Sequence, residues 1–292
     1  MTWHAVLVGV DASPAGGLAA ACGWAVAEAA RVPCHLVHAV REPSGLARAA
    51  RDSAEHRVIS ERLVANARDM VGEVVGSAVP AAMESLEIRI GNPGWILAQA
   101  VKERDAGLLV LGGKHHSAPT RWFGGSTAHH AVRAIDVPLL VAAAQSTTFA
   151  RVLVATDLSD AAAATIMAAQ SFAGLFGATV RALHVVEPLP SIPDVGIEPD
   201  ECAHLEVAEA ETKASLAALG VDRTIEAIVQ CGAPARTIAD HAADWSADLV
   251  VVGSHGKGWI DRVLLGSTTE RLLNRLPCSL LIIPVHGRVS SR

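Results

Sequence analysis

The sequence predicts an α/β protein with two doubly wound domains, each built on a five-strand parallel sheet. Its 292 residues suit two domains of ordinary size. Short, fully apolar runs such as "DLVVVG" (248–253) alternate with helical patterns, as expected for parallel strands that are covered on both faces. The same succession of runs occurs twice, which indicates a duplication.

Matching segments define the two copies. "HAVLVGVDAS" (4–13) resembles "ARVLVATDLS" (150–159) at an offset of 146 residues. "IGNPGWIL" (90–97) resembles "CGAPARTI" (231–238) at an offset of 141, so the first copy has five more residues between its second and third strands. We therefore expect domains at 1–144 and 149–288, with the small, polar stretch "AAAQSTTF" (142–149) as the linker.

Each copy contains five apolar runs, and right-handed crossovers through the intervening helices would place them in one parallel sheet. The strands of the first copy are predicted near 4–10, 34–40, 85–90, 107–112 and 137–142. Those of the second are predicted near 150–156, 179–186, 224–230, 247–253 and 278–283. Predicted helices include 14–31, 52–76, 93–104 and 125–134.

Composition excludes several classes of function. The net charge is −6, aromatic residues make up 3%, and there is no basic tract, which argues against nucleic-acid binding. No apolar run reaches the length of a membrane span, and no signal peptide is evident. The five cysteines are scattered, which indicates reduced, mostly buried thiols in the cytoplasm and no metal site.

A glycine-rich loop follows the fourth strand of the second copy. Gly253 and Gly256 precede Gly266-Ser267-Thr268, which opens a predicted helix. Ligands of open parallel sheets bind beyond the carboxyl ends of the strands, and the first N–H groups of a helix favour anions. The pattern predicts a phosphate-binding loop, although it lacks the lysine of a P-loop. An ordinary strand–loop–helix turn with a serine N-cap is the alternative.

These residues resemble the universal stress protein family, through Gly253-x2-Gly256-x9-Gly266-Ser267, the first-strand pattern V-x-x-D-x-S, and "DLVVVGSHG" with "PCSLLIIP". The resemblance covers both halves and therefore indicates a tandem member. It implies a Rossmann-like fold of the adenine nucleotide α-hydrolase-like type that binds ATP, with Mg²⁺ left open. The resemblance implies these nucleotide-binding residues in the second copy: Thr156, Asp157 and Val186 at adenine, Gly253 near ribose, and Gly256, Gly266, Ser267 and Thr268 at phosphates. His255, inside the loop, reaches a phosphate or is exposed.

The first copy departs from this pattern. Its counterparts of the nucleotide-binding residues are Asp11, Gly112, Gly125, Ser126 and Thr127. His115 stands where the second copy has Gly256, and an imidazole there either fills phosphate space or attracts phosphate by charge. We expect sterics to dominate, so that the second copy binds ATP and the first binds it more weakly or not at all.

The sequence indicates no catalytic residue, because it has neither a Ser-His-Asp order nor paired carboxylates. Asp11 and Asp157 could instead have a structural role at the next helix, although Ser13 and Ser159 are better N-caps. His38 and His184 match in position at strand ends, where they pack or border the adenine pocket. The predicted function is a cytosolic, ATP-binding stress-response sensor or regulatory module. The alternatives are a slow ATPase and a non-binding dimerisation scaffold.

The predicted last strands, 137–142 and 278–283, bear on assembly. The family commonly pairs its fifth strands antiparallel across a two-fold axis, and unpaired apolar edge strands favour association. The resemblance therefore implies an intramolecular pseudo-dimer, and two chains could also form a homodimer.

Overall fold

The computed structural model describes residues 3–42, 54–113, 135–143, 147–159, 162–188, 205–218, 225–254 and 265–284. The chain divides into two compact units between Thr147 and Thr148. Each unit contains a five-strand parallel sheet with helices between successive strands, so the predicted fold class is confirmed. The predicted helix 125–134 lies outside the described residues.

The first unit orders its strands β3-β2-β1-β4-β5. These strands are β1 Val6–Gly9, β2 Cys34–Val40, β3 Leu86–Ile90, β4 Leu108–Gly112 and β5 Leu139–Ala142. The described helices are α1 Pro14–Ala30, α2 Ala54–Ala78 and α3 Pro93–Glu103, and a 3-10 helix spans Pro80–Ser85. Every strand of this unit lies within two residues of its predicted bounds, because most are continuous apolar runs and β3, LEIRI, alternates apolar and charged residues.

The second unit repeats this order of strands, with β8-β7-β6-β9-β10. Its strands are β6 Arg151–Thr156, β7 Thr179–Val186, β8 Glu226–Cys231, β9 Leu249–Gly253 and β10 Ser279–Ile283. Its described helices are α4 Ala162–Phe176, α5 Leu205–Ala218, α6 Pro234–Asp244 and α7 Ser267–Asn274. Among the described residues, no helix has both the length and the apolar character required to cross a bilayer.

The core of each unit is centred on its first and fourth strands. Val6, Leu7 and Val8 of β1 have no exposed surface, and the same holds for Leu249 and Val250 of β9. Strands β1 and β4 pair in parallel, as do β6 and β9. The chain leaves these two neighbouring strands in opposite directions, and that reversal opens a crevice at their carboxyl ends. The fold therefore places one such crevice in each unit.

Helix α1 begins at a defined cap. Ser13 is the N-cap, its side-chain oxygen accepts a hydrogen bond from Gly16 N at 3.4 Å, and Pro14 occupies the first turn. The helix ends at Arg31, whose φ of 56° is left-handed. The expectation that Ser13 is a better cap than Asp11 is therefore confirmed.

The cysteines only partly follow their predicted chemistry. Cys22, Cys34 and Cys278 are free thiols, and burial raises the pKa of each to about 12, which makes them poor nucleophiles. Cys231, however, is disulfide-bonded, so the prediction of reduced thiols is wrong at this position. Spacing along the sequence could not reveal it, because a disulfide depends on proximity in space.

The close approach of α1 to β4 makes Gly112 a packing residue. A Cβ at this position would lie 2.3 Å from the carbonyl oxygen of Ala15 and 2.6 Å from its carbonyl carbon. We expect Gly112→Ala to lower the free energy of unfolding by about 1–3 kcal/mol, measured by urea denaturation, because helical backbone must move to admit the methyl group.

The matched control for this substitution is Gly174→Ala in helix α4, where a Cβ would meet nothing within 4 Å. Alanine there should raise stability by about 0.5–1 kcal/mol, since glycine is the poorer helix former. Equal stability of the Gly112→Ala variant and the wild type would contradict the close approach.

Candidate functional site

A cavity of about 490 Å³ lies at the carboxyl ends of strands β6, β7 and β9 in the second unit. Its volume is in the range of small-molecule sites. The cavity brings together the predicted binding residues that the structure describes in this unit. They are Thr156, Asp157, Val186, Gly253, Gly266, Ser267 and Thr268. His255 and Gly256 lie outside the described residues.

The turn after β6 forms one wall of the cavity. Asp157 Oδ1 accepts hydrogen bonds from Ser159 N at 3.0 Å and from Ser159 Oγ at 2.7 Å. Leu158 has a left-handed φ of 59°, and its N–H donates to Thr156 Oγ1 at 3.2 Å. Asp157 therefore holds the turn in shape while it lines the cavity.

A histidine on β7 fixes the end of β6. Nδ1–H of His184 donates to the carbonyl oxygen of Thr156 at 2.8 Å, and both residues line the cavity. The first unit repeats this contact, because His38 Nδ1 lies 2.7 Å from the carbonyl oxygen of Val10. Each histidine thus holds the backbone immediately before the aspartate of its unit. Of the two roles open to His184, bordering the cavity and packing, the structure shows both.

The start of helix α7 forms the opposite wall. Its N-cap is Gly266, which has no side chain to accept from the first-turn N–H groups. Ser267 and Thr268, at the first two helical positions, line the cavity. The positive end of the helix and its hydroxyl groups are thus presented to any anion in the cavity. The prediction that Gly266-Ser267-Thr268 opens a helix is confirmed.

Two hydrogen bonds attach the start of α7 to the end of β9, and another attaches the end of β9 to β10. Ser254 N donates to the carbonyl oxygen of Ile283 at 2.8 Å, and Gly266 N donates to that of Ser254 at 2.8 Å. The buried side chain of Thr269 donates to the carbonyl oxygen of Gly253 at 2.9 Å. Ser254 and Gly266 are therefore held next to each other at the end of β9.

The charges of the described cavity lining are unusual for an anion site. Asp157 and Glu187 contribute two carboxylates, and the described lining contains no lysine or arginine. Within the described lining, the donors open to an anionic ligand are N–H and O–H groups, and the two carboxylates favour an accompanying cation. Within the described ranges, no group of three or more His, Cys, Asp or Glu could itself hold a metal ion.

Several lining residues were not among the predicted site residues. Pro234 and Ile238, on helix α6, form an apolar side of the cavity together with Leu183. Both helix residues lie in "CGAPARTI", which matches a segment of the first copy that ends in Leu97. The repeat therefore marked this segment, although no functional motif singled out Pro234 or Ile238. Thr269 had no such signal, because its role depends on a contact across the fold.

The first unit presents only part of an equivalent site. Asp11 is exposed, and its Oδ1 accepts from Ser13 N at 3.1 Å and from Ser13 Oγ. Gly112 ends β4 against the first turn of α1. The other predicted residues of this unit, Gly125, Ser126 and Thr127, lie outside the described residues, as does His115.

We expect Thr269→Val to lower the free energy of unfolding by about 1–2 kcal/mol, because valine keeps the volume but leaves the carbonyl of Gly253 without this donor. Urea denaturation measures the change. Thr268→Val is the matched control: Thr268 is only half-buried, so this change should stay within about 0.5 kcal/mol. If both variants had the same free energy of unfolding as the wild type, the Thr269 hydrogen bond would not stabilise the domain.

Comparisons with known proteins agree with this architecture. A sequence model described as the universal stress protein family matches residues 2–143 and again residues 148–284. The universal stress protein Rv2005c of Mycobacterium tuberculosis is 29% identical over 285 residues, which cover 93% of this chain and 94% of the relative. A universal stress protein of Thermus aquaticus is 32% identical over 136 residues, 46% of this chain and 98% of the relative.

A solved structure shows the same fold. The crystal structure of a universal stress protein from Archaeoglobus fulgidus aligns over 98% of this chain and 100% of its own, with a TM-score of 0.67 and 20% identity. The matched family regions together span nearly the whole chain. This chain therefore belongs to the universal stress protein family and has one family domain in each half.

Proposed function

We propose that the second domain binds an adenine nucleotide, ATP, and that the protein acts in the cytoplasm as a nucleotide-dependent sensor or regulatory module of the stress response. One observation carries this proposal. The lining of the cavity at the β6–β9 crevice combines apolar side chains with the uncapped start of helix α7. A ligand with a flat apolar base and an anionic tail matches that combination.

The apolar residues of the cavity lining suit a purine. Leu183, Val186, Pro234 and Ile238 line the cavity, and a flat heteroaromatic ring gains free energy when such side chains remove it from water. Backbone groups at the ends of β6 and β7 are positioned to bond the edge of the ring. Among them, the carbonyl of Thr156 is held by His184. The polar side chain of Asp157, in the same turn, adds an acceptor for the base.

The start of helix α7 suits phosphates. Ser267 and Thr268 supply hydroxyl donors at a helix start that has no side-chain cap, so their backbone N–H groups are available to phosphate oxygens. The eight-residue helix is itself fixed, because Thr269 anchors it to Gly253. Fixed donors lose little conformational entropy on binding, which favours affinity.

The same experiments test two alternative functions, a slow ATPase and a scaffold that binds no nucleotide. A slow ATPase would require a group that activates water, and in the described lining the groups able to accept a proton are Nε2 of His184 and the carboxylates of Asp157 and Glu187. A scaffold that binds no nucleotide would leave the cavity without a ligand. Chromatography of the denatured, purified protein reveals bound nucleotide, and incubation with ATP followed by measurement of ADP reveals hydrolysis. We expect ATP to be bound with little or no turnover.

Gly266→Ala should weaken ATP binding by about 1.5–3 kcal/mol, the value of one hydrogen bond to a charged acceptor, because a methyl group at this N-cap crowds the phosphates. The φ of −59° and ψ of 142° at Gly266 are open to alanine, so the fold should be unaffected. Isothermal titration calorimetry measures the affinity, and thermal unfolding checks the fold. Gly174→Ala, on the far end of α4, serves as the control. Wild-type affinity in the Gly266→Ala variant would exclude a phosphate contact here.

Removal of Mg²⁺ should also weaken ATP binding, by roughly tenfold or about 1.4 kcal/mol. The carboxylates of Asp157 and Glu187 face the same cavity as the phosphates, and their repulsion is relieved when a divalent cation accompanies the nucleotide. Titrations with excess Mg²⁺ and with EDTA test this effect. Adenosine, which has no phosphate, is the matched ligand control and should bind equally in both buffers. Equal ATP affinities in the two buffers would contradict this electrostatic argument.

A further inference from the structure

The turn that carries the aspartate differs between the two domains. In the first domain, the backbone of Asp11 lies directly over Gly16. A Cβ at residue 16 would be 2.1 Å from Asp11 O and 2.7 Å from Asp11 N. In the second domain, at the offset of 146 residues, Ala162 takes the place of Gly16 and carries the Cβ that the first domain lacks.

That single methyl group excludes the first-domain arrangement from the second domain. Real Cβ atoms essentially never lie within 3.0 Å of a non-bonded heavy atom, so the carbonyl of Asp157 cannot take the place that the carbonyl of Asp11 occupies. The two turns do differ in backbone conformation. Leu158 has a left-handed φ of 59°, whereas its counterpart Ala12 has no positive φ.

This difference falls on the wall of the cavity. Asp157, Ser159 and Ala162 all line the cavity, and Asp157 is half-buried. Its counterpart Asp11 is exposed, and the turn that carries it is folded onto the start of α1. The side chains of both aspartates accept from the serine two residues later in the same way, whereas the placement of the backbone differs between the two turns.

We propose that this position, Gly16 in the first domain and Ala162 in the second, determines which domain binds the adenine nucleotide. The proposal rests on the nucleotide-binding function proposed above. The methyl group of Ala162 keeps the turn open although Leu158 must adopt a left-handed conformation that is unfavourable for leucine. If residue 162 is glycine, the turn is free to adopt the arrangement that the Asp11 turn has over Gly16. ATP then binds only the fraction of molecules in which the turn has not adopted it.

The proposal separates the base-binding side of the site from its phosphate side. The exchange of Gly256 for His115 would act at the phosphates, whereas Gly16 acts on the turn that meets the base. The two causes predict different results for variants in which only one of them is reversed.

The decisive variant is Ala162→Gly in the full-length protein, titrated with ATP and Mg²⁺ by calorimetry. The wild type should bind one ATP per chain, and Ala162→Gly should lower the affinity by about five- to thirty-fold, the factor that one to two kcal/mol produces in an equilibrium. Ala164→Gly is the matched control. It lies exposed in the same helix, carries the same loss of helix propensity and should keep its affinity within about twofold.

The reciprocal variants test the first domain. His115→Gly alone should leave one ATP per chain, whereas Gly16→Ala combined with His115→Gly should add a second site. Thermal unfolding shows whether the double variant is folded. If it is not, the comparison of Ala162→Gly with Ala164→Gly decides.

The outcomes are distinct. A wild type that binds no ATP contradicts the proposed function itself. If the wild type does bind ATP, the inference about this position is overturned by any of three results: unchanged affinity of Ala162→Gly, a second site with His115→Gly alone, or no second site in a folded double variant.

Discussion

The parallel pairing of the first strand with the fourth in each domain is the constraint on which the candidate site depends. Strands β6 and β9 are buried at the centre of their sheet, and the chain leaves them toward opposite sides. The turn after β6 and the start of α7 therefore face each other across a crevice that neither could form alone. Their positions follow from the burial of apolar strands rather than from any interaction with a ligand, so the cavity exists before anything enters it.

Much of this arrangement could be predicted from the sequence. The apolar runs located the strands within two residues, and residues that follow the strand ends, such as Asp157 and Gly253, necessarily converge at one edge of the sheet. The contribution of Thr269 could not be predicted, because it bonds a carbonyl 16 residues away through the tertiary fold. The conformation of the Asp11 turn could not be predicted from the sequence either. It depends on whether one Cβ exists at residue 16, and neither periodicity nor motif reports such a contact.

Some contacts are the same in the two domains and others differ between them. The histidine that holds the end of the first strand is kept in both, with nearly equal distances from His38 to Val10 and from His184 to Thr156. The turn that follows is not kept, since it is folded against Gly16 in one domain and held open beside Ala162 in the other. Contacts that support the sheet are thus common to both domains, while the difference between them is concentrated where a ligand would be recognised.

The hydrogen bond from Gly266 N to the carbonyl of Ser254 closes the chain on itself beside the end of β9. Because Ser254 is bonded to Ile283 and Gly266 to Ser254, the sheet itself holds the two ends of the intervening segment close together. Loop-closure entropy rises by only about 0.6 kcal/mol for each doubling of loop length. This position is therefore a natural insertion point, where a peptide or a reporter domain can be grafted beside the cavity without disturbing the strands that form it.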